Sequence, residues 1–269
     1  MEESYYKELV NRNIGLVTKE QQEKLKNSCV AIFGLGGIGG VVAELLARCG
    51  IGYLKIVDND RFEPTNLNRQ IFSFQSTIAK MKIDVVESFL KDINPFLRIE
   101  KFDHVDKTNI NQILGHCDVA VLAIDKVKPI IIISRKVHEL GIPMVEGWAI
   151  PFGNVRIYTK DTKGLEETYG LLSLGRELED ISNEEFAKMD FEILMTLGKI
   201  EGIANFYPPH VVQEISRGRI TSFAPMVWLT SVLMSLEVIK ILLDWGTISL
   251  APRYALYDPF SHKIPRQEL

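Results

Sequence analysis

Between Gly34 and Lys82 the chain carries glycines, carboxylates and cations at spacings that suit polyphosphate chemistry. Gly34, Gly36, Gly37 and Gly39 lie within VAIFGLGGIG, and Gly34, Gly36 and Gly39 satisfy the G-x-G-x-x-G spacing. Missing side chains at that spacing let backbone N–H groups approach a phosphate at the positive end of a helix. Asp58 closes a second apolar stretch about twenty residues past the loop, where a carboxylate accepts bonds from ribose hydroxyls. The segment that follows, DNDRFEPTNLNRQIF, adds Asp60, Asn66, Asn68, Arg69 and Gln70, and then come Lys80 and Lys82. A dinucleotide dehydrogenase usually runs from its ribose carboxylate straight into helix and strand. A guanidinium fork and an ammonium are instead what a triphosphate needs, because its charge exceeds what one helix terminus neutralises. ATP therefore fits better than NAD.

These groups need elements to hold them. Val30 to Phe33 reads as a strand that breaks into the glycines, and a helix follows over about Ile38 to Cys49. Strands are expected at Tyr53–Val57 and about Arg98–Phe102, with a helix over about Ala79 to Ile93 between them. VAVLAI, from Val119 to Ile124, is apolar throughout, as in the middle of a parallel sheet. After a helix around Pro129 to Leu140, MVEGWAI and NVRIYTK predict two further strands. The pattern is α/β and Rossmann-like, a mainly parallel sheet flanked by helices with a C-terminal antiparallel extension. Phe33, Asp58 and Asp125 then share the carboxyl edge of the sheet, where such folds bind ligands. Asp125 could equally cap the helix after it. Lys82, in the first turn of its helix, opposes the macrodipole, which marks it as a functional candidate; Lys80 reads as solvated surface.

In order along the chain, GLGGIG, VDNDRFEPTNLNRQ and TIAKMK resemble the glycine loop, D-x-D…N-x-x-R-Q and G-x-x-K elements of ThiF/MoeB/HesA enzymes, relatives of the ubiquitin-activating enzymes. The resemblance implies ATP-dependent adenylation of a carboxylate with release of pyrophosphate. It gives Arg69 and Lys82 to the phosphates, Asn66 to the neighbourhood of the α-phosphate, Asp58 to the ribose, and Asp125 to magnesium. Asp60 joins the nucleotide-binding set or simply braces the loop. It also implies a homodimer in which Arg12, from NRNIGL, reaches the partner's ATP. The fragment AIDKVKP places Lys126 where relatives more often have Asn. The carboxylate would be the C-terminus of a ubiquitin-like or sulfur-carrier protein, a peptide, or a small or tRNA-borne group. The wording of Ala47 to Gly52 and Asn66 to Gln70 resembles the tRNA threonylcarbamoyladenosine dehydratases. An NAD-dependent oxidoreductase is the alternative from another class, although no Tyr-Lys pair or His stands out as its hydride-transfer partner; a non-catalytic nucleotide-binding scaffold is a third reading.

Relatives with structural zinc carry two C-x-x-C pairs. Cys29, Cys49 and Cys117 form none and offer no disulfide framework, and His104, His116, His138, His210 and His262 show no ligand spacing. All three cysteines are expected at the sheet edge away from the nucleotide, Cys29 and Cys117 just ahead of their strands. No thioester on this chain is therefore expected.

The 269 residues divide into a helical arm at 1–28, a nucleotide-binding core at 29–160, and a variable helical region with a buried helix and a hairpin at 161–269, all in one domain. A formal charge of −4 recruits neither nucleic acid nor an anionic membrane globally, which leans against tRNA. MEESYYKELV lacks an apolar signal core, so the cytoplasm is expected. Ala224 to Leu243 is apolar on nearly all faces, but Glu237 and Lys240 interrupt it. It predicts a helix buried in the core or a dimer interface rather than a membrane span. RYALYDPFSHKI alternates around Asp258-Pro259 as a hairpin does.

Overall fold

In the computed structural model, residues 1–216 and 221–264 are described. The end of the expected variable region and the last five positions lie outside them. Seven strands form one sheet in the order β3-β2-β1-β4-β5-β6-β7. They are β1 (Cys29–Phe33), β2 (Tyr53–Val57), β3 (Arg98–Phe102), β4 (Val119–Leu122), β5 (Met144–Glu146), β6 (Gly153–Tyr158) and β7 (Ala255–Tyr257). The first five run parallel; β6 and β7 are antiparallel to their neighbours, as the predicted extension requires. The chain leaves β1 for β2 and β3, then returns to β4 on the other side. A crevice opens at such a reversal, outside the carboxyl ends of β1 and β4.

Alternate residues of β1 serve opposite faces, which is why the strand is apolar throughout. Ala31 and Phe33 join one core with α5 (Ile110–Leu114), α6 (Val127–Leu140), α7 (Leu165–Tyr169) and α8 (Asn183–Leu197). Val30 and Ile32 join the other with α2 (Lys19–Lys26), α3 (Gly39–Arg48), α4 (Lys82–Ile93) and α10 (Ala224–Leu243). The amino-terminal helix α1 (Glu2–Leu9) and the capping box of Thr18 and Gln21 on α2 anchor the arm. Helix α9 (Pro209–Ser216) begins at the second proline of Tyr207-Pro-Pro-His210.

Besides a shorter β5, which ends at Glu146, and an α6 that starts at Val127, three boundaries differ from expectation. Helix α4 begins at Lys82, not Ala79, because Ala79 N–H donates to Phe62 O (2.8 Å) and Phe62 N–H to Lys80 O (3.0 Å). Those bonds hold the segment in a turn, with Ala79 at φ +67°. Strand β4 ends at Leu122, two residues early, where the chain bends over the glycine loop. The terminal hairpin is a single bridge, Asp258 to Lys263, and β7 pairs with β6 instead of folding back on itself. Helix α10 is long and apolar enough to cross a bilayer by composition. It buries Val227, Met234, Val238 and Leu242 in the core, as expected of a core helix.

Candidate functional site

The glycine loop is built by close approach. Gly34 sits at φ +92°, and a Cβ there would lie 2.4 Å from Ala123 O, where β4 bends away. A Cβ on Gly39 would meet Gly34 O at 1.8 Å, so only glycine lets α3 start directly over the end of β1. Gly36 differs. A Cβ there would touch nothing nearer than Gln70 Nε2 at 3.6 Å, so no protein neighbour demands glycine and the space is open to a ligand. Ile38 offers α3 no side-chain cap, so its first N–H groups have no side-chain partner, and that of Gly40 donates to Gly36 O at 3.1 Å.

Asp58 lies beside that loop. One carboxylate oxygen accepts Leu35 N–H at 2.7 Å and the other accepts Asp60 N–H at 2.8 Å. Burial pushes its carboxyl group up; the Lys82 ammonium and the two N–H groups oppose the rise. Lys82 is buried, with Nζ 2.8 Å from the exposed carboxylate of Asp60.

Arg69 is half-buried; its Nη1 donates to Thr65 O and Asn68 Oδ1, each at 2.9 Å. Burial lowers its pKa and the Asp125 carboxylate raises it, which puts the two groups within electrostatic reach across the crevice. Asn66 is buried in a Pro64–Asn66 turn, and its Oδ1 accepts Glu63 N–H at 3.0 Å. Gly34, Gly36, Gly37, Gly39, Asp58, Asn66, Arg69, Lys82 and Asp125 thus line one edge.

Arg12 lies elsewhere. Its neighbour Asn13 donates to Gln22 Oε1 and to Cys49 O, at the far end of α3 from the glycine loop. Ten helical residues separate those ends, about 15 Å at 1.5 Å per residue. An arginine side chain does not span that distance to its own chain's crevice.

Several residues in the crevice escaped sequence reasoning. Trp228 donates its indole N–H to Arg69 O at 2.8 Å, and Val227 approaches Gly37, so the first turns of α10 back the site. Nothing in an apolar run marks such contacts. Gln70, already named from the sequence but given no role there, is buried against Gly36 with Oε1 unpartnered. Asp190, on α8, accepts Val127 N–H at 2.8 Å and so caps α6 from the variable region, immediately after Asp125.

The cysteines lie at the opposite edge. Cys29 opens β1 rather than preceding it, and its Sγ is 3.3 Å from that of Cys117; both are buried, a pairing no spacing announced. Cys49 caps the carboxyl end of α3. Among the described residues no group of three or more His, Cys, Asp or Glu side chains could hold a metal ion. One carboxylate facing a phosphate cradle suits magnesium carried in largely by phosphate oxygens.

An open sheet with a phosphate loop and paired cations at its switch point defines a Rossmann-like nucleotide-binding protein. Residues 10–269 match the ThiF family, and the chain belongs to that family. It is 28% identical over 258 residues to the molybdopterin-synthase adenylyltransferase of Haemophilus influenzae, covering 94% of this chain and 91% of that one. A shorter stretch of 85 residues is 45% identical to the tRNA threonylcarbamoyladenosine dehydratase of Bacillus subtilis, over 32% of this chain and 34% of that one, so the match spans about a third of the dehydratase. Among solved structures, Escherichia coli MccB with ATP superposes at TM-score 0.66 and 21% identity over 92% of this chain and 65% of that one. PaaA superposes at TM-score 0.69 and 22% identity, over 97% and 72%.

Proposed function

We propose that the chain is an ATP-dependent adenylyltransferase that activates a substrate carboxylate as an acyl adenylate. The reading rests above all on one arrangement: an open glycine cradle flanked by Arg69 and Lys82, with Asp125 following the strand β4 beside it. A carboxylate oxygen attacks the α-phosphorus, the bond to the bridging oxygen breaks, and pyrophosphate leaves. Such a step needs alignment and charge compensation rather than a protein nucleophile. Uncapped N–H groups of α3 and the two cations hold the polyphosphate, Asp58 takes the ribose, and Asn66 donates near the α-phosphate. Asp125 would hold magnesium, which when bound neutralises phosphate charge. Asp60 keeps the Lys82 ammonium in place until phosphate arrives.

The names of two relatives, the tRNA threonylcarbamoyladenosine dehydratase and a sulfur carrier protein adenylyltransferase of Thermus thermophilus, support a carboxylate on a tRNA-borne group or on a carrier protein. A peptide or small-molecule carboxylate belongs to the same chemistry. The proposed active unit is a homodimer in which Arg12 enters the partner's crevice. In support, Trp228, Val232 and Leu236 form an exposed apolar stripe along α10, and Phe223 just before the helix is exposed as well. A second copy would cover that stripe. The buried cysteine pair sits at the wrong edge to receive an acyl group, so replacing all three cysteines with serine should leave exchange intact.

The test is ATP–pyrophosphate exchange over a panel of carrier proteins, peptides and small carboxylates. Exchange with at least one carboxylate, lost in Arg69→Ala, supports the reading. Quenching of tryptophan emission by NADH but not by ATP would replace it with an oxidoreductase.

A further inference from the structure

Trp148 is held far more firmly than a half-exposed tryptophan in a loop requires. Its backbone N–H donates to Asn154 Oδ1 and its carbonyl accepts Asn154 Nδ2–H, both at 2.8 Å, and Asn154 is completely buried. Thr230 of α10 touches the same carbonyl at 3.3 Å. The indole N–H donates to Tyr169 Oη at 2.8 Å, and the rings meet edge to face.

Behind that tyrosine lies a fully buried ion pair, Glu146 with Arg156, whose side chains are 1% and 4% exposed. Tyr169 donates to Glu146 Oε1 (3.0 Å) and Tyr254 to Oε2 (3.2 Å), while the Arg156 guanidinium lies over the rings of Tyr158, Tyr169 and Tyr254. Burying two charges is costly, and an apolar replacement often serves stability as well or better. Arg156 Nη2 has no partner, but the bonds the other groups make still hold them in one fixed arrangement. Here the fixed outcome is the orientation of Trp148.

The place it is fixed is informative. Leu122 pairs with Glu146, so the chain after β5 leaves the sheet beside the chain after β4, which carries Asp125. On α10, Val227 approaches Gly37 of the nucleotide loop and Thr230, three residues on, touches Trp148 O. Glycine cradle and Trp148 backbone are thus separated by about one helical turn, roughly 5 Å along α10. Trp148 also packs on the face that α6 and α8 cover, away from the α4 face that supplies Lys82.

Building on the adenylation reading, we propose that Trp148 is a specificity-determining residue that forms the acyl-side wall of the crevice, with Tyr169 as its positioning residue. A preset indole face suits a flat, uncharged acyl chain such as a peptide main chain, whose amide planes pack on it without ordering the protein further.

The test uses the full chain, with AMP and 5′-O-(N-glycylsulfamoyl)adenosine as probes; the second carries an acyl group beyond the phosphate position. The glycyl compound should change tryptophan emission where AMP does not, and Trp148→Phe should abolish that change. Trp148→Ala should weaken the glycyl compound about tenfold, or 1.4 kcal/mol, with AMP affinity held within about twofold. Tyr169→Phe, which keeps the indole but frees its N–H, should lose part of the same discrimination. If Trp148→Ala weakens both probes equally, or neither, the wall is overturned while the adenylation reading stands. If wild-type protein binds neither probe, both readings fail.

Discussion

The two ends of β1 and β4 use polar groups in opposite ways. At the amino end every prominent polar group is spent on the protein itself. Cys29 N–H donates to Asp118 Oδ2 (2.8 Å), the buried Lys55 ammonium donates to Gln112 O and Gly115 O (2.8 and 2.7 Å), and Tyr6 Oη donates to Gly50 O (2.7 Å). At the carboxyl end a helix starts without a side-chain cap, and Arg69 engages a single one of its terminal nitrogens among the described residues. Satisfied groups hold the sheet together, whereas groups with spare bonding capacity face the place where a charged ligand would supply the rest.

The sharpest way to break that contrast is Arg69→Ala. Loss of charge-assisted bonds to phosphate costs about 3 kcal/mol in the transition state, or roughly a hundredfold in exchange rate. Because Arg69 bonds only to its own turn, the urea unfolding midpoint should barely move. A large stability loss with exchange retained would make Arg69 a structural residue like Lys55. Lys82→Met should follow with a smaller drop, at least tenfold in exchange, since Arg69 still covers the phosphates. Steady-state exchange at saturating and limiting ATP reads both variants.

Tyr6→Phe is the mirror experiment at the amino end. It leaves the carbonyl of Gly50 and the amide of Gln22 short of a partner, at a cost of about 1–3 kcal/mol in folding stability. Exchange per folded molecule should stay unchanged. Denaturant titration beside the exchange assay separates the two, and a loss of turnover larger than the loss of folded protein would mean the ends are coupled.

The same contrast explains what could be read from sequence. Backbone-driven features were legible: Tyr53–Val57 and Arg98–Phe102 fall where strands were expected, and the glycine spacing announced the loop because missing side chains are visible in a sequence. So was Asp58, placed by its distance from that loop. Pairings made by long-range folding were not. Cys29 beside Cys117, Asp190 capping α6, and Glu146 with Arg156 join residues from 10 to 88 positions apart, and no local pattern encodes such partners. The start of α4 at Lys82 was missed for the same reason, since the bonds from Phe62 override local helix preference.

Asp58 gives the finest distinction between the ends, through opposite signs of one titration. Burial raises its pKa above the ordinary aspartate value. For folding alone, the protonated form is then the relatively favoured one. Its contribution to stability is full below the unfolded pKa and disappears as pH rises through the folded value. Binding has the reverse sign, because only the carboxylate accepts two ribose hydroxyls while also holding Leu35 N–H and Asp60 N–H. Nucleotide affinity should therefore begin to fall on acidification at a pH above the ordinary aspartate range, by several-fold, while the same acidification adds to folding stability through this group. Asp58→Asn should flatten that profile at uniformly weaker binding. Calorimetric ATP titrations from neutral to mildly acidic pH, compared with thermal unfolding in the same buffers, check the signs. Affinity and stability falling together in both proteins would mean that Asp58 belongs with the satisfied groups of the amino end and not with the ligand.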